Sequence, residues 1–219
     1  MAMGRVLSEL AREYRGQGSE GPAIEVAGGV EVARRVEEGE AFDLVFLSSE
    51  AIEKLEKSGR IVPGSSRPLV RSSVAAAVRA GAPKPDIGSG EALKRTLLQA
   101  RSIGYSTGPS GVALLGLLEG WGLREVLEDR LVQAPPSVPV GGLLARGEVE
   151  LGFQQLSELL PVEGISILGC LPAPFEIITV FAGALCAAGA GVAEARRFLE
   201  YLTSSEIVGT LRLHGLEPA

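Results

Sequence analysis

The sequence has 219 residues, of which 46% are hydrophobic and 5% aromatic, and its formal net charge at pH 7 is −6. This length and apolar content suffice for one large domain or two smaller lobes. Because the basic residues form no concentrated face, we expect no nucleic-acid partner. The longest apolar stretch, 177–192, is interrupted by glycines and is shorter than the roughly 18–20 residues of a spanning helix, so we expect no membrane insertion.

Short apolar runs alternate with amphipathic stretches along the chain, which is typical of an α/β protein. The predicted strands are 23–27, 42–47, 70–79, 102–105, 150–153, 165–168 and 177–182. The predicted helices are 4–15, 31–38, 49–58, 90–100, 110–120, 123–130, 141–146, 155–160, 192–202 and 204–213. The last helix starts at a Thr-x-x-Glu pattern, 203–206, that predicts a capping box.

Two Pro/Gly-rich breaks, at 80–88 and 171–175, flank the middle of the chain. They predict a discontinuous first lobe, 1–80 plus 177–219, and an inserted second lobe, 81–176. In such folds a ligand binds where the carboxyl ends of strands meet the amino ends of helices. Turns of that kind are therefore the first places to search for a site.

The turn Ser106-Thr107-Gly108-Pro109-Ser110-Gly111 lies between a predicted strand and a predicted helix. Small hydroxyl residues and glycine leave backbone N–H groups accessible there, and the helix dipole adds about half a positive charge. An ordinary N-cap serine and a Gly-Pro turn would produce the same pattern. The turn is not a Walker phosphate loop, because no Gly-Lys-Ser/Thr follows it.

Three further candidates also lie at strand-to-helix turns. Gln154 and Gln155 follow a short strand, and at least one amide, which offers both a donor and an acceptor, should face the site. A solvated helix start would explain both glutamines equally well. Gly28 and Gly29 permit close backbone approach, and Ser48 ends another strand. Each of these signals is weak alone, and the interpretation depends on their repetition at strand-to-helix turns.

Metal, cofactor and catalytic sites are not indicated. The chain has one histidine, His214, which precedes a glycine at a helix end and predicts a capping role. Cys170 and Cys186 lie in apolar surroundings without metal-binding spacing, so we expect buried free thiols, with a disulfide as the alternative. No carboxylate pair has a spacing that identifies acid–base chemistry. We therefore predict no metal, no cofactor and no assignable catalytic residue.

Several stretches together resemble a known family over nearly the whole chain. The most specific are VARRVEEGEAFD (32–43), SIGYSTGPSG (102–111) and ARGEVELGFQQLSE (145–158), with LEYLTSS (199–205) and HGLEPA (214–219) at the end. They resemble the molybdate-binding-protein-like branch of the type 2 periplasmic solute-binding proteins, the substrate-binding components of ABC transporters. The resemblance implies a two-lobed α/β fold that closes like a hinge on an anion, with the family's first strand missing before Met1.

Carried over by position, Ser110 and the Gly111 amide fall in the family's middle anion-contacting turn. Gln155 falls where the molybdate binders resemble each other in having a tyrosine. Gly28 and Gly29 fall around a second turn that carries a serine in those binders. These departures make molybdate and tungstate poor candidates, and the Gln-Gln variant resembles a subgroup with aconitate isomerase-like members, which suggests a small organic acid.

The leading functional hypothesis is a binding protein for a small anion, an organic acid or an oxyanion, with an ABC transporter permease as the implied partner. The alternative is an aconitate isomerase-like enzyme, with Glu158 as the candidate base, and a third hypothesis is a cytosolic remnant with a structural or regulatory use. We expect a monomer or weak dimer. The resemblance implies a periplasmic location, whereas the sequence predicts no signal peptide and hence a cytoplasmic one.

Overall fold

The structure, a computed structural model, describes residues 3–16, 21–136, 138–189 and 192–219. Its contacts divide the chain into two compact units. Unit 1 comprises Met1–Arg71 and Val180–Ala219, and unit 2 comprises Ser72–Thr179. The inserted arrangement resembles the predicted lobes, whose boundaries at 80/81 and 176/177 stay predictions.

Unit 1 has helices and strands of its own and also contains part of two strands that continue into unit 2. The elements it holds alone are α1 (Gly4–Gly16), α2 (Gly29–Glu37), β1 (Leu44–Ser48), α3 (Ser49–Lys57), α8 (Val192–Tyr201), α9 (Val208–Leu213) and β8 (Leu216–Pro218). The continuing strands are β2 (Arg67–Arg79) and β7 (Ile178–Leu185). Within unit 1, β1 pairs antiparallel with β7 from Leu44↔Leu185 to Ser48↔Phe181, and β8 pairs with β2.

Two apolar clusters form the core of unit 1. Leu7 and Leu10 of α1 are buried because they share one helix face, which packs on Phe198 of α8 and Leu211 of α9. The second cluster joins α2, α3 and β1, and Ile52 is fully buried in it.

Unit 2 contains α4 (Gly90–Gln99), β3 (Ile103–Tyr105), α5 (Pro109–Gly120), β4 (Leu131–Gln133), α6 (Val140–Arg146), β5 (Leu151–Gln155), α7 (Leu156–Leu159) and β6 (Ile165–Cys170). Its part of β2 pairs antiparallel with β5, from Val74↔Gln155 to Val78↔Leu151, and with β6. β3 lies parallel to both β5 and β4.

The two faces of the unit 2 sheet are covered by different helices. One face packs on α4 and α5, where Leu93, Leu114 and Phe153 share one core cluster. On the other face α6 approaches closely, because a Cβ on Gly104 or Gly152 would lie 3.1 Å or 2.7 Å from Cγ1 of Val140. The strand glycines are therefore required by helix packing.

Several predicted elements are wrong in the structure. Residues 23–27 form no strand; no described strand pairs with them, and Glu25 instead bonds the Arg35 guanidinium. The predicted helix 123–130 is mainly turn, with a 3₁₀ turn at Glu128–Arg130 leading into the unpredicted β4.

The predicted helix 204–213 is divided between a 3₁₀ turn, Ser205–Ile207, and α9. Its predicted capping box does not form, because the Thr203 hydroxyl donates to the Glu200 carbonyl at 2.7 Å. Among the described residues, no helix is long and apolar enough to cross a membrane.

Candidate ligand-binding site

The nine predicted site residues are divided between the units. Gly28, Gly29 and Ser48 belong to unit 1, and the other six belong to unit 2.

The turn between β3 and α5 carries a pair of hydroxyl groups. The Ser106 Oγ lies 2.9 Å from the Ser110 Oγ and accepts a hydrogen bond from the Gly108 amide at 3.3 Å. Ser110 is buried, whereas Thr107 is exposed. Because one hydroxyl donates to the other, one hydroxyl proton of the pair stays available for a further acceptor.

The first backbone amides of α5 are not equivalent. The amides of Gly111 and Val112 both donate to the Gly108 carbonyl, at 3.0 Å and 3.2 Å, and Pro109 has no N–H. The Ser110 amide has no acceptor in the described part of the chain. The helix start thus offers one free amide next to one hydroxyl proton, in the positive field of the helix dipole.

Gly111 has a packing role at this turn. A Cβ at that position would lie 1.8 Å from the Ser106 carbonyl oxygen. Since its amide is already bonded, the glycine lets the turn fold back closely on α5, and the Ser110 amide is the better candidate donor.

Gln155 ends β5 with its side chain on the face covered by α5. It pairs with Val74 and follows Phe153 by two positions, which places all three on that face. The side chain is only 3% exposed, and its Nε2 donates to the Thr179 Oγ1 at 2.8 Å. Among the described residues, its Oε1 has no hydrogen-bond partner.

Ser72 and Thr179 are polar residues of this face that sequence reasoning missed. Ser72 precedes Val74 by two positions in β2, is fully buried, and its hydroxyl has no partner in the described ranges. The signal that could have found them is the presence of hydroxyl residues inside two predicted strands, the Ser72-Ser73 pair in 70–79 and Thr179 in 177–182.

Gln154 points to the opposite face of the sheet, as strand alternation requires. Its Oε1 accepts from the Gly141 amide at 3.3 Å, near the start of α6, and its side chain hydrogen-bonds Glu158. Burial raises the pKa of Glu158, although the bond from Gln154 favours its charged form. Of the two predicted glutamines, one therefore lies at the α5 side and the other supports α6.

The unit 1 candidates lie at the starts of two helices. The Gly28 carbonyl accepts from the Val32 amide at 2.9 Å, and Gly29, the first residue of α2, is exposed. Ser48 precedes α3 and makes no side-chain capping bond.

The other residues discussed from the sequence are His214 and the two cysteines. His214 is the C-cap residue of α9, and its Nε2 lies 2.7 Å from Glu9 Oε2. Both cysteines are free, but Cys170 is exposed, so the expectation of two buried thiols is wrong for it because it ends β6 at the surface. In the residues that the structure describes, no group of three or more His, Cys, Asp or Glu could hold a metal ion.

Comparison with known proteins shows the family. Residues 1–217 match the family described as bacterial extracellular solute-binding protein. The chain belongs to this family of solute-binding proteins. A curated relative, the aconitate isomerase of a Pseudomonas species, is 38% identical over 191 residues, which cover 85% of this chain and 71% of the relative.

Solved structures confirm the two-lobed α/β fold class. The periplasmic molybdate-binding protein of Azotobacter vinelandii matches with a TM-score of 0.81 at 22% identity, covering 98% of this chain and 95% of that one. The binding protein AgtB from A. tumefaciens R10, in complex with agropinic acid, matches with a TM-score of 0.71 at 12% identity, covering 100% and 80%. Because these two structures carry names of unlike ligands, the fold alone does not select a ligand.

Proposed function

We propose that the protein binds a small anion, and that unit 2 holds the anion at the start of α5. Two features support this: among the described residues, the Ser110 amide at the start of α5 has no acceptor, and the buried Gln155 Oε1 on the adjacent sheet face has no partner. A buried carbonyl left unpaired costs about 1–3 kcal/mol, so a ligand that pairs with it is favoured. The buried Gln155 carbonyl is the main structural support for this proposal.

Each residue has a proposed role. The Ser110 amide and the Ser106–Ser110 hydroxyl pair donate to the anionic oxygens, while Gln155 fixes the ligand's orientation. Thr107 and Gly111 shape the turn between β3 and α5, and Gln154 positions the start of α6. In unit 1, Gly28, Gly29 and Ser48 remain candidate contacts at the starts of α2 and α3.

The donor set favours an organic acid or a small oxyanion without opposing the protein's net charge of −6. Backbone amides and hydroxyls attract an anion locally, so no basic surface is needed. Family membership supports two further proposals, an extracellular location and an ABC transporter permease as the partner that receives the ligand.

Thermal unfolding with a panel of anions tests the proposal. The panel is molybdate, sulfate, phosphate, citrate, cis-aconitate and trans-aconitate, and a ligand at 100 times its Kd should add about 2.7 kcal/mol to the free energy of unfolding. Ser110→Asp, which places a carboxylate among the donors, should abolish the shift. Ser166→Ala, in β6 opposite Val78 at the other end of the unit 2 part of β2, should preserve it. No shift with any anion would contradict the proposal.

A second candidate function is isomerisation of a small unsaturated acid. It is favoured by the aconitate isomerase relative and by Glu158, whose raised pKa suits a proton-transfer group. If it holds, trans-aconitate incubated with the protein should yield the cis isomer by NMR. Glu158→Gln should then lower the rate by about a hundredfold or more, and the exposed Glu163→Gln should not. A protein that binds aconitate without converting it would exclude this candidate.

A further inference from the structure

The Gln155 amide presents an acceptor to its surroundings. Its Nε2 donates to the Thr179 Oγ1 at 2.8 Å, and this bond turns the Oε1 away, where no described residue bonds it. A carbonyl oxygen can be satisfied only by a donor. We therefore expect the group that lies beside the Oε1 to be a hydrogen-bond donor.

Nearby polar groups of unit 2 do not supply that hydrogen. The Thr179 hydroxyl already interacts with the amide nitrogen, and Ser72, although on the same face, is not within bonding distance of the Oε1, because neither side-chain oxygen has a partner in the part of the chain that the structure describes. With Gln155 only 3% exposed, bulk solvent does not compensate the carbonyl freely.

The start of α5 offers the opposite chemistry. The Ser110 amide and the remaining proton of the Ser106–Ser110 pair are donors, and they suit a charged oxygen. Donors therefore lie at the helix start and an acceptor at the end of β5, on one face of one sheet.

From this asymmetry, and resting on the proposed function, we propose that the bound anion carries a hydrogen-bond donor beside its charge. The ligand class is a hydroxycarboxylic acid or an oxyanion that keeps one proton. A fully deprotonated tetrahedral oxyanion, such as molybdate or sulfate, would set only lone pairs against the Gln155 carbonyl and would leave it unpaired.

Pairs of ligands that differ by one donor test the class. Hydrogen phosphate and sulfate are both tetrahedral dianions at a pH well above the second pKa of phosphoric acid. Malate and succinate form a second pair that differs by one hydroxyl. Calorimetric titration of the whole protein should give at least about tenfold tighter binding to the donor-bearing member of one pair, since sites built around a hydrogen bond reject analogues that lack it.

Gln155→Met, which removes the acceptor at similar length, should lower this ratio to less than about threefold, whereas Ser166→Ala, in β6 opposite Val78, should keep it. Selectivity in the phosphate pair identifies a protonated oxyanion, and selectivity in the malate pair identifies a hydroxy acid. Equal affinities within both pairs would overturn the inference, and the wild-type ratios decide it even if Gln155→Met fails to fold. Absence of binding to every anion would instead overturn the proposed function.

Discussion

Two helices of this protein begin at turns that look alike in sequence and differ in packing. α2 in unit 1 follows Gly28, and α5 in unit 2 follows Gly108 and contains Gly111. Gly29 is exposed, and a Cβ there would make only an ordinary contact of 3.6 Å with Leu47 Cδ2. At Gly111 the same atom would lie 1.8 Å from the Ser106 carbonyl oxygen. Small residues thus mark both turns, but only the turn before α5 requires glycine for its packing.

Adding a methyl group at each turn should produce the largest difference in stability between the two turns. Gly111→Ala should lower the free energy of unfolding by about 3 kcal/mol or more, because a backbone carbonyl cannot yield as a flexible side chain can. Gly29→Ala should change it by less than about 1 kcal/mol, with a gain favoured by reduced entropy of the unfolded chain. Urea denaturation of both variants measures the difference.

Gly116→Ala is the matched control inside α5, since a Cβ there would meet nothing within 4 Å. Alanine should stabilise this helix position by about 0.5–1 kcal/mol. A Gly111→Ala variant as stable as Gly116→Ala would show that α5 does not approach Ser106 closely.

A smaller effect is expected from the serines of the two units. Ser110→Ala should cost about 1 kcal/mol, because it removes a buried hydroxyl bonded to Ser106. Ser48→Ala should cost less than about 0.5 kcal/mol, because the half-buried Ser48 makes no capping bond. Equal losses in denaturation experiments would mean that the Ser48 hydroxyl is bonded in solution.

Much of the fold was predictable because hydrophobic periodicity is local. The predicted helix 49–58 and strand 70–79 agree with α3 and β2 to within three residues at each end. β4 was missed because a three-residue edge strand has too few positions to establish a period. Residues 23–27 form a short apolar run like that of a strand, but strands exist only where a neighbour supplies hydrogen bonds.

The candidate site was less predictable than the fold. Adjacent Gln154 and Gln155 are equivalent in sequence, and only the register of Gln155 against Val74 decides which amide lies on the α5 face. The hydroxyls of Ser72 and Thr179 are hidden in apolar strands until the strand pairing is known. Gly111 was read as a ligand amide, whereas its contact with the Ser106 carbonyl depends on how the turn folds back.

The smallest expected effect concerns the free energy of unfolding, which two carboxyl groups should make depend on pH in different ways. In unit 2, burial raises the pKa of Glu158, whereas in unit 1 the hydrogen bond from Arg35, with its Nε 2.6 Å from Glu40 Oε2, lowers the pKa of Glu40. Glu158 therefore contributes stability below its unfolded pKa of about 4.5, and this contribution is lost as the pH rises through its higher folded value. Glu40 contributes above about 4.5, and its contribution is lost as the pH falls through its lower folded value.

Replacing each acid by its amide should therefore produce slopes of opposite sign in adjacent pH ranges. Relative to wild type, Glu158→Gln should gain stability as the pH rises above about 4.5, since the amide escapes the cost of ionising in a buried place. Glu40→Gln should lose relative stability as the pH rises towards about 4.5, and salt should weaken that change because the ion pair with Arg35 is exposed. Urea denaturation across this pH range measures both differences. If Glu158→Gln instead lost relative stability with rising pH, the ionised carboxylate would be the better accommodated form, and the hydrogen bond from Gln154 would outweigh the effect of burial.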